Sequence, residues 1–403
     1  MVQETDWIDR NPILHHRMLE SLALAGDEVL VLDYDILWRR RGSRPLLQRR
    51  RVVRDVAKFH PGSGVVVVRP AMLRVPILAR PTWLAMTVIE LIRAFRAFKP
   101  DIVVAYGISN ALVARLLSRW YRVPFVFHIF DALHGIAEPQ FLAPIARVVE
   151  RAVLRSARIV VVVHRALLGY VRRMGVAPSR VRFIMNGFEV REIAEEAATD
   201  VRHRLGIADD EVMVLFVGWL YTHSGLLEIA KALVGSDRHR GYRLVIAGDG
   251  DLFEELTAIV RDAEHGHRVV LLGRVPVREL PELIAASDVG LCASTQALAM
   301  RYVVPAKVDE YLEVGRPVVA SRLPGMLEEL ANQPSVIWID GPEAALDAVA
   351  AVVAGRSDPR AHLRELGAAA REYGRGRESW AIVTSRFRVV LEEARSSSGA
   401  TSA

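Results

Sequence analysis

Short apolar, β-branched runs recur along the chain, separated by longer stretches in which apolar positions return every three to four residues. The first pattern reads as buried strands and the second as amphipathic helices, and their alternation is that of parallel sheets flanked by helices. In the first half the runs predict strands at Glu28–Leu32, Gly64–Arg69, Ile102–Ala105, Phe125–Ile129, Ile159–Val163 and Val181–Ile184. A second series begins near Val212, with strands at Val212–Val217, Arg243–Ala247, Val269–Leu272, Val289–Cys292 and Pro317–Ala320. A helix over Ile13–Ala25 has its limits written in the sequence: Asn11 as N-cap, Pro12 in the first turn and Gly26 just past the end.

Between the two series, Asn186–Asp210 is polar, acidic and alanine-rich, which predicts a linker holding a short helix. The expected organisation is α/β: a Rossmann-like domain over 1–187, a linker over 188–210 and a second Rossmann-like domain over 211–375. A helix over 376–395 is expected to pack back toward the first domain, and 396–403 reads as a disordered tail. Two such domains face across a cleft, and ligands in these sheets sit beyond the carboxyl ends of the strands. The opening is unusual, because Met1–Arg10 is mostly polar where a Rossmann domain starts with a buried strand. The first strand is therefore expected to be absent from this start.

Composition narrows the picture. A chain of 403 residues is long enough for two cores, and 51% hydrophobic with 25% charged residues is a globular balance. The net charge of +6 favours anionic partners. Cys292 is the only cysteine, so no internal disulfide can form and a reducing, cytoplasmic setting is expected. Pro76–Ile92 is the nearest approach to a membrane span, but Arg80, Pro81 and Glu90 interrupt it. Met1–Arg10 carries Glu4, Asp6 and Asp9 without an apolar block behind it, so no secretory leader is expected.

The densest candidate chemistry lies in Ser287–Ser321. A strand leads into a loop, Pro305 opens a short helix and Gly315 closes it before the next strand. The start of that helix offers free backbone N–H groups and the positive end of a dipole to an anion. Lys307 and Glu310, three apart, share a face: a cation beside a phosphate position, and a carboxylate able to accept from ribose hydroxyls. An ordinary solvated Lys–Glu pair would show the same spacing.

The segment Pro305, Lys307, Glu310, Tyr311, Gly315, Pro317, Val318 and Val319 resembles the donor-site segment of the retaining glycosyltransferases of family 4, which have the GT-B fold. The resemblance covers nearly the whole chain in order: Pro124–Asp131, Asn186–Gly187, Val212–Gly218 followed by Gly225, and Arg243–Gly250. It implies sugar transfer with retention from a nucleotide-sugar to an acceptor, possible lipid linkage of that acceptor included. It also implies Glu310 on the nucleotide ribose, and donor contacts from Lys307, Pro305, Tyr302, Arg301, Gly218, Gly248, Gly250 and Asn186. His128, at the end of a strand, would contact the donor sugar, with Asp131 near the acceptor; a core histidine and an ordinary loop aspartate are the bland readings. The chain departs from the family pattern at four places, one being the first-domain loop, which has Asp9-Arg10-Asn11-Pro12 instead of the usual glycines. Tyr302 stands where many members have a second glutamate. Trp219 and Ser224 stand where an arginine and a lysine usually neutralise the leaving diphosphate. That charge would fall to Lys307, Arg301, the Pro305 helix start or Arg10. Two readings stay open beside this enzyme: a catalytically impaired GT-B protein that partners or regulates an active transferase, and a different GT-B enzyme such as a sugar-nucleotide epimerase.

Other motifs are weaker. Gly248-Asp249-Gly250 lacks the third glycine of a dinucleotide fingerprint, since Phe253 occupies that place. Asp33-Tyr34-Asp35 resembles the metal-binding carboxylate pair of the other glycosyltransferase fold, but the two-series layout argues against it. Without zinc-type ligand spacing, no metal and no cofactor beyond the nucleotide-sugar substrate are expected. Arg39–Arg54 contains many arginines and no acid. With the aromatic and basic mix of Met72–Phe98, including Trp83 and Phe95, it predicts peripheral contact with an anionic membrane surface on its inner face. No nucleic-acid motif is present.

Overall fold

The structure, a computed structural model, describes residues 1–9, 12–36, 38, 45–54, 56–136, 140–295 and 300–396. It divides into two compact units, Met1–Gly187 with Ser379–Ala403, and Phe188–Glu378. Arg10, Asn11, the Arg39–Arg44 part of the basic stretch and the tail from 397 lie outside the described residues.

The first unit runs β1 (Val2–Gln3), α1 (Leu14–Leu24), β2 (Leu30–Leu32), β3 (Leu47–Gln48), β4 (Arg51–Arg54), β5 (Val66–Arg69), β6 (Met72–Leu73), α2 (Ala79–Arg93), β7 (Val103–Tyr106), α3 (Ser109–Tyr121), β8 (Phe125–Ile129), α4 (Ala143–Ser156), β9 (Ile159–Val162), α5 (Arg165–Arg173) and β10 (Val181–Phe183). Among the described residues its main sheet has the order β10-β9-β8-β7-β1-β2-β5-β4. Its pairings are parallel except β4, which runs antiparallel to β5 as the edge strand. The second unit runs α6 (Glu195–Arg204), β11 (Val212–Val217), α7 (Leu226–Val234), β12 (Tyr242–Ala247), α8 (Phe253–Asp262), β13 (Val269–Gly273), α9 (Leu280–Ala286), β14 (Val289–Cys292), α10 (Ala306–Glu313), β15 (Val318–Ser321), α11 (Pro324–Leu330), β16 (Val336–Ile339), α12 (Ala345–Val353) and α13 (Pro359–Arg375). Its sheet is parallel in the order β13-β12-β11-β14-β15-β16. The last helix, α14 (Trp380–Ser396), belongs to the first unit. Its Val383, Phe387, Val390 and Ala394 join Trp7, Met18, Leu22 and Val126 in one core.

Several expectations need correction. A first strand is present: Val2 pairs with Leu32 on one side and Ala105 on the other, so the polar opening hides a two-residue central strand. Helix α1 begins at Leu14, because Ile13 is extended (φ −124°, ψ 169°) and its N–H donates to Nδ1 of His16 at 3.1 Å. Pro305 likewise precedes its helix as the extended N-cap instead of occupying the first turn. Residues 188–210 are bound into the second unit instead of standing free. Arg202 on α6 donates to Asp288 Oδ2 (3.0 Å) and to the carbonyls of Ala208 (2.9 Å) and Glu211 (2.6 Å). Trp83 and Phe95 are core residues. Trp83 Nε1 donates to the Asp33 carbonyl at 3.1 Å, and Phe95 stacks on Tyr121 at 4.6 Å, so neither is available to a membrane.

The carboxyl ends of β2 and β5 are joined by a buried ionic centre. Arg69 donates through Nε and Nη2 to both oxygens of Asp33 (2.9 and 2.7 Å), and reaches Asp6 (2.6 Å) and Asp9 (3.2 Å). Asp35 pairs with Arg74 at 3.2 Å. The Asp33-Tyr34-Asp35 carboxylates are thus committed to arginines. Burial raises the Asp6 pKa to about 6 and raises that of Asp33, against the pull of Arg69. Replacing Arg69 by Met strands these carboxylates without their cation. A loss of about 3–5 kcal/mol is expected, read as a lower urea midpoint; an unchanged midpoint would show that the centre does not hold the first unit.

Among the described residues no helix is long and apolar enough to cross a membrane.

Candidate functional site

The second sheet changes direction between β11 and β14, since β12 and β13 lie on one side of β11 and β14 to β16 on the other. At such a switch point the loops beyond the strand ends separate and leave a place for a ligand. The chain leaves β11 through Gly218, whose φ of 124° suits glycine. The turn after β12 presses directly on it: a Cβ at Gly248 would overlap the Gly218 carbonyl, and one at Gly250 would overlap the Leu220 backbone. Gly218 N–H donates to Ala247 O (2.9 Å), and Leu220 N–H to Asp249 O (3.1 Å). The three glycines predicted as donor contacts therefore form one backbone-to-backbone floor.

Helix α10 enters beside this floor. Lys307 lays its ammonium over the Phe216 ring, 3.5 Å from the centroid, and Nζ lies 3.4 Å from where a Gly218 Cβ would be. Burial pulls the lysine pKa down to about 8, against the opposing pull of Cys292 and Glu310. Burial raises the Glu310 pKa, against Lys307 and Arg191. The two side chains are half-buried, on the same face of the helix. The other polar residues of α10 are structural. Asp309 pairs with Arg377 at 3.3 Å, and Arg377 in turn donates to Tyr373 Oη at 2.5 Å. Glu313 accepts from the Glu189 N–H at 3.0 Å, and burial raises its pKa to about 7.

Tyr311 locks the helix. Its hydroxyl donates to Leu215 O and accepts from Val217 N–H, both at 2.9 Å, inside the core. Its ring lies flat on Gly290 of β14, where any Cβ would overlap it. Two adjacent strands and one helix are thus fixed by a single side chain.

The rest of the rim is less closed. Arg301 is exposed, with its guanidinium 5.8 Å from the centroid of the Tyr302 ring. Gly325 N–H donates to Arg301 O at 2.9 Å, which holds this stretch against the start of α11. Residues 296–299 of the same loop lie outside the described residues. Trp219 Nε1 donates to Asp251 at 3.4 Å, and Ser224 is buried. Neither supplies charge. His223 is the residue sequence reasoning missed. Its carbonyl accepts from Thr295 N–H (2.9 Å) and Ser294 Oγ (3.0 Å), and its ring stacks on Tyr221 at 4.9 Å. Burial, with Lys307 adding to it, lowers its pKa. Its only signal in the sequence was its place in the loop that opens the second sheet.

The predicted residues of the first unit have surroundings of their own. His128 is fully buried on β8 among His15, Phe130 and Phe387, with Nδ1 3.1 Å from His15 Nε2. Burial pulls its pKa down to about 3, so the ring is neutral. It is an enclosed histidine in this structure instead of one delivered to an opening. Asp131 is half-buried beyond β8 and accepts from Tyr106 Oη at 3.1 Å. Asn186 is half-buried in the segment after β10. At the switch point between β1 and β7 the start of α3 is occupied by the protein itself. Glu4 accepts from Ser109 Oγ and from Asn110 N–H (2.8 Å), and also pairs with Arg80 (2.6 Å).

Two parallel-sheet units of this kind define the GT-B fold, and solved structures agree. Sucrose-phosphate synthase from Thermosynechococcus elongatus is 17% identical over 98% of this chain and 99% of its own, with a TM-score of 0.77. HepE from Anabaena, in complex with UDP-glucose, is 16% identical over 97% of this chain and 99% of its own, with a TM-score of 0.72. The glycosyl transferase 4-like domain model matches residues 15–187 and the glycosyl transferases group 1 model matches 198–373. The chain belongs to the group 1 glycosyltransferases. It is 29% identical over 171 residues to a glycosyltransferase of Methanocaldococcus jannaschii, an alignment spanning 40% of this chain and only 41% of that relative. It is 24% identical over 327 residues to the putative teichuronic acid biosynthesis glycosyltransferase TuaC of Bacillus subtilis, spanning 78% of this chain and 77% of the relative.

Tyr311→Phe removes one hydroxyl but leaves the Val217 N–H and Leu215 carbonyl buried without it. A destabilisation of about 1–3 kcal/mol is expected in urea unfolding; a loss near zero would mean that packing alone seats α10.

Proposed function

We propose that the protein transfers a sugar, with retention of configuration, from a nucleoside-diphosphate sugar to a saccharide acceptor. The observation that carries this reading is the half-buried Lys307–Glu310 pair on α10, set against the glycine floor at the sheet's switch point. Glu310 accepts from the ribose hydroxyls. Lys307 and the N–H groups after Pro305 neutralise the diphosphate as the bond to the anomeric carbon breaks. Gly218, Gly248 and Gly250, packed backbone to backbone, form the floor on which the pyrophosphate lies. Arg301 takes the place of the cations missing at Trp219 and Ser224, His223 offers a neutral imidazole as a hydrogen-bonding group, and Tyr302 borders the transferred sugar. The acceptor hydroxyl then attacks from the face the nucleotide leaves, and its proton departs with the nucleoside diphosphate.

For the first unit we assign Asp131 to an acceptor hydroxyl and Asn186 to the donor. His128, being enclosed, acts as a positioning residue. A saccharide carried on a lipid suits the basic character of this unit. The charge neutralisation assigned here is done by protein groups, so transfer is expected to proceed at an unchanged rate in a chelator.

Since HepE binds UDP-glucose, UDP is the first probe for calorimetry. Glu310→Ala is expected to weaken UDP at least tenfold, about 1.4 kcal/mol; equal affinity for both proteins would remove Glu310 from the site. The pH dependence has a definite sign. Lys307 titrates at about 8 in the free protein, and a bound diphosphate favours its charged form. Above that pH the protein must take up a proton on binding, so Kd is expected to rise toward tenfold per pH unit. In Lys307→Met that slope should vanish; a slope retained in the variant would assign the proton to another group.

A further inference from the structure

Helices α2, α3 and α4 connect strands that follow one another across one half of the first sheet, so right-handed crossovers put them on the same side. Arg115 of α3 donates through Nε to the Ser156 carbonyl at the end of α4 (3.0 Å), which joins these two helices. With the π-helical turn Ala94–Phe98 that continues α2, the layer carries Arg80, Arg93, Arg96, Arg115, Arg119, Arg147, Arg151 and Arg155. Its acidic residues are Glu90 and Glu150, and both are buried. Glu90 is held by Arg50 and Arg93, and Glu150 accepts the N–H groups of Leu133 (3.3 Å) and His134 (3.0 Å). Among the described residues, these three helices therefore carry no exposed carboxylate.

The same surface exposes large apolar side chains. Trp120 is 81% exposed, Leu116 60%, Ile145 63% and Val148 69%, with Phe141 at 77% just before α4. A tryptophan and four aliphatic or aromatic neighbours in open water are costly unless something covers them. Interleaved arginines choose the cover. A second copy of this chain would bring the same arginines against themselves. A nucleic acid would satisfy the arginines but leave the apolar side chains wet. An anionic bilayer accepts both, since arginines meet lipid phosphates while Trp, Ile, Val and Leu enter the headgroup boundary.

We propose that the outer face of the α3–α4 pair, flanked by α2, docks on an anionic lipid bilayer. This places the main membrane contact on α3 and α4, which the sequence did not single out; flanking α2 belongs to the Met72–Phe98 stretch that it did, with Trp83 and Phe95 turned into the core. It does not depend on the donor assignment.

The test is cosedimentation of the full chain with vesicles of phosphatidylcholine alone, or of equal parts phosphatidylcholine and phosphatidylglycerol. Binding to the anionic vesicles is expected to be at least ten times tighter. It should fall at least tenfold in Trp120→Glu and in Arg119→Glu with Arg151→Glu, with thermal unfolding unchanged. Arg51→Glu with Arg54→Glu, on the edge strand β4, should change it less than twofold. Because Cys292 is the single cysteine and is buried, Trp120→Cys carrying an environment-sensitive dye reports on this face alone, and its emission should shift blue on anionic vesicles. No binding to anionic vesicles overturns the proposal. So does loss confined to the β4 variant, or a dye that stays in water while the protein sediments. A dimer dissolved by Trp120→Glu in light scattering would assign the face to a second copy. Duplex DNA competing for the same residues would assign it to nucleic acid.

Discussion

The Tyr311 hydroxyl, shared between the Leu215 carbonyl and the Val217 N–H, fixes where α10 sits, and the chemistry of the second unit depends on that position. A buried hydroxyl that both donates and accepts has no freedom left to rotate. Gly290 beneath the ring sets its depth, because a larger residue would lift the helix off β14. With the helix seated, Lys307 has Phe216 below it and Gly218 beside it, and its ammonium is partly stripped of water before any ligand arrives. The apolar clamp and the polar pair are therefore one device. The first fixes geometry and the second uses it.

The two units spend their charged residues differently. In the first, the strand-end carboxylates Asp33 and Asp35 are matched by Arg69 and Arg74, and the result is cohesion between β2, β5 and the segment after β1. In the second, the deeper carboxylates of α10 are likewise matched, Asp309 by Arg377 and Glu313 by the Glu189 N–H and Arg191. Lys307 and Glu310 are half-buried and moved in opposite directions by burial, each toward its neutral form. Such groups gain most from a ligand that restores their charged state.

Much of the architecture was legible in the sequence because parallel strands buried on both faces read as continuous apolar runs. Phe125–Ile129, Val212–Val217 and Val289–Cys292 begin and end where the runs do. Strand β4 was not legible: Arg51–Arg54 pairs through its backbone while its arginines stay in water, so composition describes a loop. Strand β1 is too short for periodicity to detect. Val336–Ile339 carried an apolar signal like the others and was passed over. At the site, the Lys307–Glu310 spacing was visible along one helix, whereas the Tyr311 bonds and the Gly218–Gly248 contact join residues distant in sequence. Trp83 and His128 show the converse. Their residue types suggested a surface and an opening, and tertiary neighbours, the Asp33 carbonyl and His15, enclosed them instead.

Glu4 carries a consequence for counting ligands. Both sheets offer a helix start at their switch point, and each could in principle cradle a phosphate. In the first unit that cradle already holds an anion belonging to the chain: the Glu4 carboxylate sits on the Ser109 hydroxyl and the Asn110 N–H, with Gly107 leaving room for its side chain. An incoming phosphate there would have to displace a tethered carboxylate also held by Arg80. Two similar sheets are thereby made unequal, since one of the two helix starts already carries the chain's own anion.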